Sequence, residues 1–154
     1  MALASPSVKS RSAAPLSVVI PVYNEIRTIR KLLEKVSSLP YDGEIIVVDD
    51  GSKDGTRELL RELPPQERPP RTIHFQPRNF GKGAAVRAGF AQARGPIVVI
   101  QDADLELEPM DLEPMLRLIE SGKADVVFGS RFLRKERAWT LSLFANKVLT
   151  FLTA

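Results

Sequence analysis

The sequence predicts an α/β fold: a mostly parallel sheet with helices on both faces. Three observations predict it. Short, continuous apolar runs such as Leu16–Val22 and Ile97–Ile100 alternate with segments of helical period. Unbroken hydrophobicity, rather than alternation, marks strands buried on both faces, as parallel sheets require. The runs also end in polar clusters, which places those clusters at one edge of the sheet, where ligands bind in such folds.

Taken in order, Leu16–Val22 is the first strand. Ile29, Leu32, Leu33 and Val36 then recur at helical spacing within Ile26–Ser38. Glu44–Val48 is the second strand, followed by the turn Asp49-Asp50-Gly51-Ser52 and a helix from about Asp54 to Leu63, stopped by Pro64-Pro65. Thr72–Phe75 is a shorter strand. Lys82–Arg94 is a helix whose Ala84, Ala85, Ala88 and Ala91 suit close packing on a sheet. Ile97–Ile100 is the fourth strand, Asp111–Glu120 a helix capped by Asp111, and Ala124–Phe128 a fifth strand.

The 154 residues, 44% hydrophobic, suit one domain with a core large enough to fold without staples. Zero cysteines exclude thiol catalysis and cysteine-based metal clusters. Residues 1–15 are rich in Ser, Ala and Pro and lack the apolar stretch of a secretory signal, so they are expected to form a flexible leader on a cytoplasmic protein. The domain proper is expected at 16–133. The net charge of +3 is uneven, because residues 131–154 hold five Lys/Arg and one Glu. A basic, amphipathic segment at 134–154 therefore points to an anionic partner, such as a phosphate or the cytoplasmic face of a membrane, rather than to nucleic acid. Its apolar face, with Trp139, Phe144 and Phe151, is equally suited to covering the sheet or to dimerising.

The strand ends carry the chemistry. Pro21-Val-Tyr-Asn-Glu25, Asp49-Asp-Gly-Ser52, Gln101-Asp-Ala-Asp104 and Gly129-Ser-Arg131 all fall on the same edge. Carboxylates held close together repel unless a positive group sits among them, and a divalent metal is the simplest such group. In an extended chain Asp102 and Asp104 point to one side, with Glu106 continuing the row. Oxygen ligands of this kind suit Mg²⁺ or Mn²⁺ and leave positions open for phosphate oxygens.

Five ordered strings make the reading specific. Ile20-Pro-Val-Tyr-Asn-Glu25, Val47-Val-Asp-Asp-Gly-Ser-Lys-Asp-Gly55, Asn79-Phe-Gly-Lys-Gly83, Gln101-Asp-Ala-Asp-Leu-Glu106 and Phe128-Gly-Ser-Arg-Phe132 span about residues 16–133. Together they resemble the inverting family-two glycosyltransferases, and among them the polyprenyl-phosphate (dolichyl-phosphate-type) mannose and glucose synthases. The resemblance implies the nucleotide-sugar-binding fold called GT-A. It implies that Pro21, Tyr23 and Glu25 line the base and ribose pocket, that Asp50 accepts a hydrogen bond from the base, and that Lys82 approaches a phosphate. It further implies that Asp102 and Asp104 hold the metal and the diphosphate, with Glu106 standing where many relatives have Gln, and that Arg131 meets the acceptor phosphate. The donor would be GDP-mannose or UDP-glucose and the acceptor a polyprenyl phosphate.

No general base is evident, and none is required when the acceptor is a phosphate monoester, whose second pKa near about 6 leaves it an oxyanion at neutral pH. The family continues past Ala154, so the sequence also resembles a catalytic domain cut short, and a chain that binds donor without completing transfer is the main alternative. A Mg²⁺-binding receiver-like signalling domain is a second. A nicotinamide-binding domain is disfavoured, because no Gly-x-Gly-x-x-Gly follows the first strand.

Overall fold

The computed structural model describes residues 15–129. The expected leader up to residue 14, Arg131 and the segment 134–154 lie outside the described residues. Four strands, β1 (Leu16–Val22), β2 (Gly43–Asp49), β3 (Arg71–Phe75) and β4 (Ile97–Ile100), form one parallel sheet in the order β3-β2-β1-β4. Between and after them run α1 (Ile29–Ser37), α2 (Thr56–Glu62), α3 (Lys82–Phe90) and α4 (Leu112–Glu120).

The pleat sorts each apolar run into two faces. Val18, Ile20 and Val22 of β1, with Ile45 and Val47 of β2, join Leu32 and Val36 of α1, Leu60 of α2 and Leu116 of α4 in the main core. Val19, Ile46 and Val48 turn the other way and meet Ala85 of α3. Small residues along α3 let it lie close to the sheet. Gly89 is the tightest point, since a Cβ there would sit 2.3 Å from Val19 Cγ1. The chain thus steps outward from β1 to β3 on one side of the sheet, returns along α3 on the opposite face and enters again beside β1. The crevice at the carboxyl ends of β1 and β4 is where that reversal falls, the usual ligand position in open α/β sheets.

The opposite edge is pinned by a buried carboxylate. Glu44, 8% exposed, accepts the Ser17 hydroxyl at 2.9 Å, the Arg94 amide at 2.7 Å and the Arg94 guanidinium at 2.6 and 3.0 Å. Ser17 Oγ in turn accepts the Gly95 amide at 2.8 Å, which fixes the entry into β4. Burial pushes the Glu44 carboxyl up, but the bonds from Arg94 and Ser17 outweigh it and hold the pKa below the ordinary glutamate value.

Element ends shift by one to four residues from the sequence expectations, and two expectations, a cap and a strand, are corrected. The first helix starts at Ile29 rather than Ile26, after a turn over residues 25–28 in which the Thr28 amide bonds back to the Glu25 carbonyl at 3.2 Å. The third ends at Phe90 rather than Arg94, where the Gln92 and Ala93 amides fold back onto Gly89 and Phe90 in tighter turns. Asp111 makes no side-chain capping bond, since it closes a single 3₁₀ turn, Pro109–Asp111, that runs into α4. Ala124–Phe128 forms no strand in the described residues, and Val126 and Phe128 are 67% and 90% exposed. The chain leaves α4 through left-handed Gly122 and gains no ladder partner, and strand propensity without one does not make a strand.

Candidate functional site

Two loops at the carboxyl edge are fastened into one unit. The loop after β1 donates the Asn24 amide to Ser52 Oγ at 2.9 Å, the Glu25 amide to Thr56 Oγ1 at 2.9 Å and the Ile26 amide to Asp54 Oδ2 at 3.1 Å. The loop after β2 returns the Lys53 amide to Asn24 Oδ1 at 2.8 Å. Asn24 reaches this position at φ 57°, a left-handed conformation that asparagine tolerates better than most residues. Asp54 also accepts the Thr56 amide and hydroxyl. Burial raises the Asp54 pKa, and these bonds more than reverse that, leaving it below the ordinary aspartate value.

The adjacent acids divide into two roles. Asp49 is fully buried, and its carboxylate accepts Arg57 Nε at 2.7 Å and the Ser52 amide at 3.2 Å. Arg57 also donates to the Gln76 carbonyl and lies over the Phe75 ring, tying α2 to the end of β3. Asp50 is 2% exposed and holds the loop before α3: Oδ1 accepts the Phe80 amide and Oδ2 the Gly81 amide, each at 2.8 Å. Gly51 permits this approach, for a Cβ there would sit 2.5 Å from the Arg78 carbonyl carbon.

Lys82 opens α3 with no acid in the first turn, and its Nζ pairs with Asp102 Oδ1 at 2.6 Å. Asp102 follows β4 directly, whereas Asp104 is exposed and accepts the Glu106 amide at 3.0 Å in a local turn. Leu105 lies at φ 61°, so the chain is not extended here and the expected row of three carboxylates does not form. Among the described residues no three acidic or histidine side chains are grouped to hold a metal ion. Asp102 meets Lys82 through Oδ1 and Asp104 meets the Glu106 amide through Oδ1. That oxygen-only pair fits a hard cation such as Mg²⁺ or Mn²⁺ that draws its other ligands from phosphate and water.

Of the other residues singled out from sequence, Pro21 is buried at the end of β1, Tyr23 is 43% exposed at the crevice, and Glu25 accepts the Thr28 hydroxyl at 2.6 Å. His74 is exposed on β3. The sequence reading missed Asn24, Ser52 and Thr56 as parts of the site frame. The Ser52-Lys-Asp-Gly-Thr56 string, rich in side chains that bond nearby amides, was the available signal.

Sheet order and reversal point are those of a doubly wound α/β domain, and the solved structures it matches are GT-A glycosyltransferases. TarS residues 1–349 from S. aureus superposes with a TM-score of 0.61 at 23% identity, covering 84% of this chain and 39% of that one. The Pyrobaculum calidifontis mannosyltransferase PcManGT, solved with GDP-Man and Mn²⁺, gives a TM-score of 0.60 at 26% identity, over 80% of this chain and 36% of that one. The family model described as Glycosyl transferase family 2 matches residues 17–148, and the chain belongs to that family. Among curated relatives, the undecaprenyl-phosphate 4-deoxy-4-formamido-L-arabinose transferase of Pseudomonas savastanoi pv. phaseolicola is 38% identical over 80% of this chain. The dodecaprenyl-phosphate galacturonate synthase of Rhizobium johnstonii is 34% identical over 86% of it. The chain spans 38% and 43% of those two relatives.

Proposed function

We propose that this domain binds a nucleoside-diphosphate sugar at the carboxyl edge of the sheet and, with a divalent cation, passes the sugar with inversion to a polyprenyl phosphate. The observation that carries the proposal is the meeting of Lys82 and Asp102 beside the fastened loops, with Asp104 two residues on. It is supported by the polyprenyl-phosphate acceptors in the relatives' names and by the Mn²⁺ and GDP-Man bound to PcManGT.

In this reading Pro21, Tyr23 and Glu25 face the nucleoside. Asp50 acts through the 79–81 loop it holds and keeps lone pairs on its carboxylate for the base. Lys82 and the amino end of α3 meet the diphosphate, where both a cation and a helix start favour anions. Asp102 and Asp104 would hold Mg²⁺ or Mn²⁺, which when bound supplies charge to the departing diphosphate. The acceptor phosphate oxygen forms its bond to the anomeric carbon from the face opposite the breaking bond, and the nucleoside diphosphate leaves with the electron pair. No proton needs to be removed. Arg131, outside the described residues, is assigned to the acceptor phosphate by resemblance alone.

Calorimetry tests the donor half: a nucleoside diphosphate binds with Mn²⁺ or Mg²⁺ and far more weakly with chelator. Equal affinity in the Asp102→Ala/Asp104→Ala double variant overturns the metal assignment. Transfer of labelled sugar to a short polyprenyl phosphate tests the rest, with GDP-mannose and UDP-glucose screened beside nucleotide-linked arabinose derivatives and galacturonate. Binding without transfer confines the function to donor binding. No described helix is long and apolar enough to cross a membrane. Membrane contact is assigned to residues 134–154 on their basic, amphipathic sequence, and vesicle co-sedimentation that survives their deletion removes it.

A further inference from the structure

The contact between Lys82 and Asp102 joins two groups whose proposed ligands carry opposite charge. We infer that the Lys82 ammonium holds the cation's place on Asp102 and exchanges onto the donor diphosphate when the cation arrives, so that cation and nucleotide binding are coupled through one lysine. The inference rests on the proposed donor site and adds the order of events within it.

Three features carry it. The contact is short, 2.6 Å, but the Lys82 and Asp102 side chains are 63% and 33% exposed, so it is a pair that solvent weakens and a stronger ligand breaks. Lys82 is the first residue of α3, where the helix end repels an ammonium, so the position is comfortable only while an anion is nearby. Lys82 sits between two uncrowded glycines, for a Cβ at Gly81 or at Gly83 would meet nothing within 4 Å. A divalent ion bound to Asp102 would stand close to the ammonium and repel it, and a diphosphate at the start of α3 offers that ammonium a second anion. By linkage, whatever factor the nucleotide adds to cation affinity, the cation adds to nucleotide affinity.

The experiment is a Mn²⁺ titration of the whole chain, followed by electron paramagnetic resonance, with and without a nucleoside diphosphate. Lys82→Met is expected to bind Mn²⁺ alone about two- to fivefold more tightly than the parent, the range for losing an exposed competing ion pair. The factor by which the nucleotide tightens Mn²⁺ binding is expected to shrink in the same variant. Arg87→Gln makes the same charge change on the exposed last turn of α3 and is expected to do neither. Unchanged or weaker Mn²⁺ affinity in Lys82→Met overturns the exchange, as does equal tightening in Arg87→Gln or the absence of Mn²⁺ binding in every form. A failure of the nucleoside diphosphate to bind any form overturns the donor-site reading, while the Mn²⁺-only comparison still decides whether Lys82 and the cation compete.

Discussion

Asp50 Oδ2 accepts the Gly81 amide at 2.8 Å, so the carboxylate that follows β2 holds the turn from which α3 starts. With the Phe80 amide on the other oxygen, each carboxylate oxygen already accepts one backbone amide before any ligand arrives. Asp50→Ala removes both bonds; the Gly81 amide keeps Asn79 Oδ1 at 2.9 Å, and the Phe80 amide loses its acceptor. The substitution should lower stability by about 1.5–3 kcal/mol in denaturant unfolding, the range for hydrogen bonds to charged groups. Nucleoside diphosphate affinity should fall with it while Mn²⁺ dependence persists. Loss of affinity with unchanged stability would instead mean that the two amide bonds add little to folding and that Asp50 acts on the base.

Thr56 is fully buried and bridges the two loops, accepting from the Glu25 amide and donating to Asp54. Thr56→Val keeps the shape and removes the hydroxyl. A buried amide losing its acceptor costs about 1–3 kcal/mol. Denaturant unfolding should register that loss, and hydrogen exchange should show faster opening at Glu25.

Glu44 gives an acid-side signature. Its pKa is lowered in the folded state, so its contribution to stability is fully present above the ordinary glutamate value and is lost as pH falls through the folded value. Unfolding measured from neutral pH down to about pH 3 should therefore show stability declining below roughly pH 4.5, near the unfolded glutamate pKa. Glu44→Gln should flatten part of that decline while lowering stability at pH 7. A parallel slope in the variant would show that other carboxylates control acid unfolding.

Gly89 and Gly83 make a matched pair on α3. Gly89→Ala drives a methyl against the stiff, β-branched Val19 and should destabilise by about 1–3 kcal/mol through overpacking, despite the better helix former. Gly83→Ala meets open space and should be neutral or stabilising by up to about 1 kcal/mol. Thermal unfolding of the two variants, expected to move in opposite directions, checks the close approach of α3 to the sheet.

The bounds of Leu16–Val22 and Ile97–Ile100 could be read to the residue from their apolar runs, but burial on both faces holds only for the first: β4 leaves Val98 37% and Ile100 45% exposed. The ends of α1 and α3 differ because apolar spacing continues into turns closed by tighter three-residue bonds, Thr28 to Glu25 and Ala93 to Phe90. The Ala124–Phe128 string has strand composition, yet a strand is a relation between two segments, and the second one is not written in the first. The site divides in the same way. The residue types at the sheet edge, Asp50, Lys82, Asp102 and Asp104, were legible from motif and position. That Asp50 holds a loop, that Lys82 pairs with Asp102 and that Thr56 joins two turns were not. Each depends on a partner about 20 to 31 positions away, which only the folded chain brings near.

The sheet order also ranks the strands in time. Leu16 pairs with Gly43 on one side and with Ile97 on the other, so the β1–β2 ladder closes a short loop of chain and the β1–β4 ladder a much longer one. Contacts distant in sequence are slow to form, and an edge strand of four residues held by one neighbour is among the first to open. The strand that delivers Asp102 and Asp104, paired among the described residues with β1 alone, is thus expected to join the sheet late and to open early. A ligand that binds those carboxylates stabilises the weakest seam of the domain, and its signature is slowed amide exchange along β4 while β1 and β2 stay as they were.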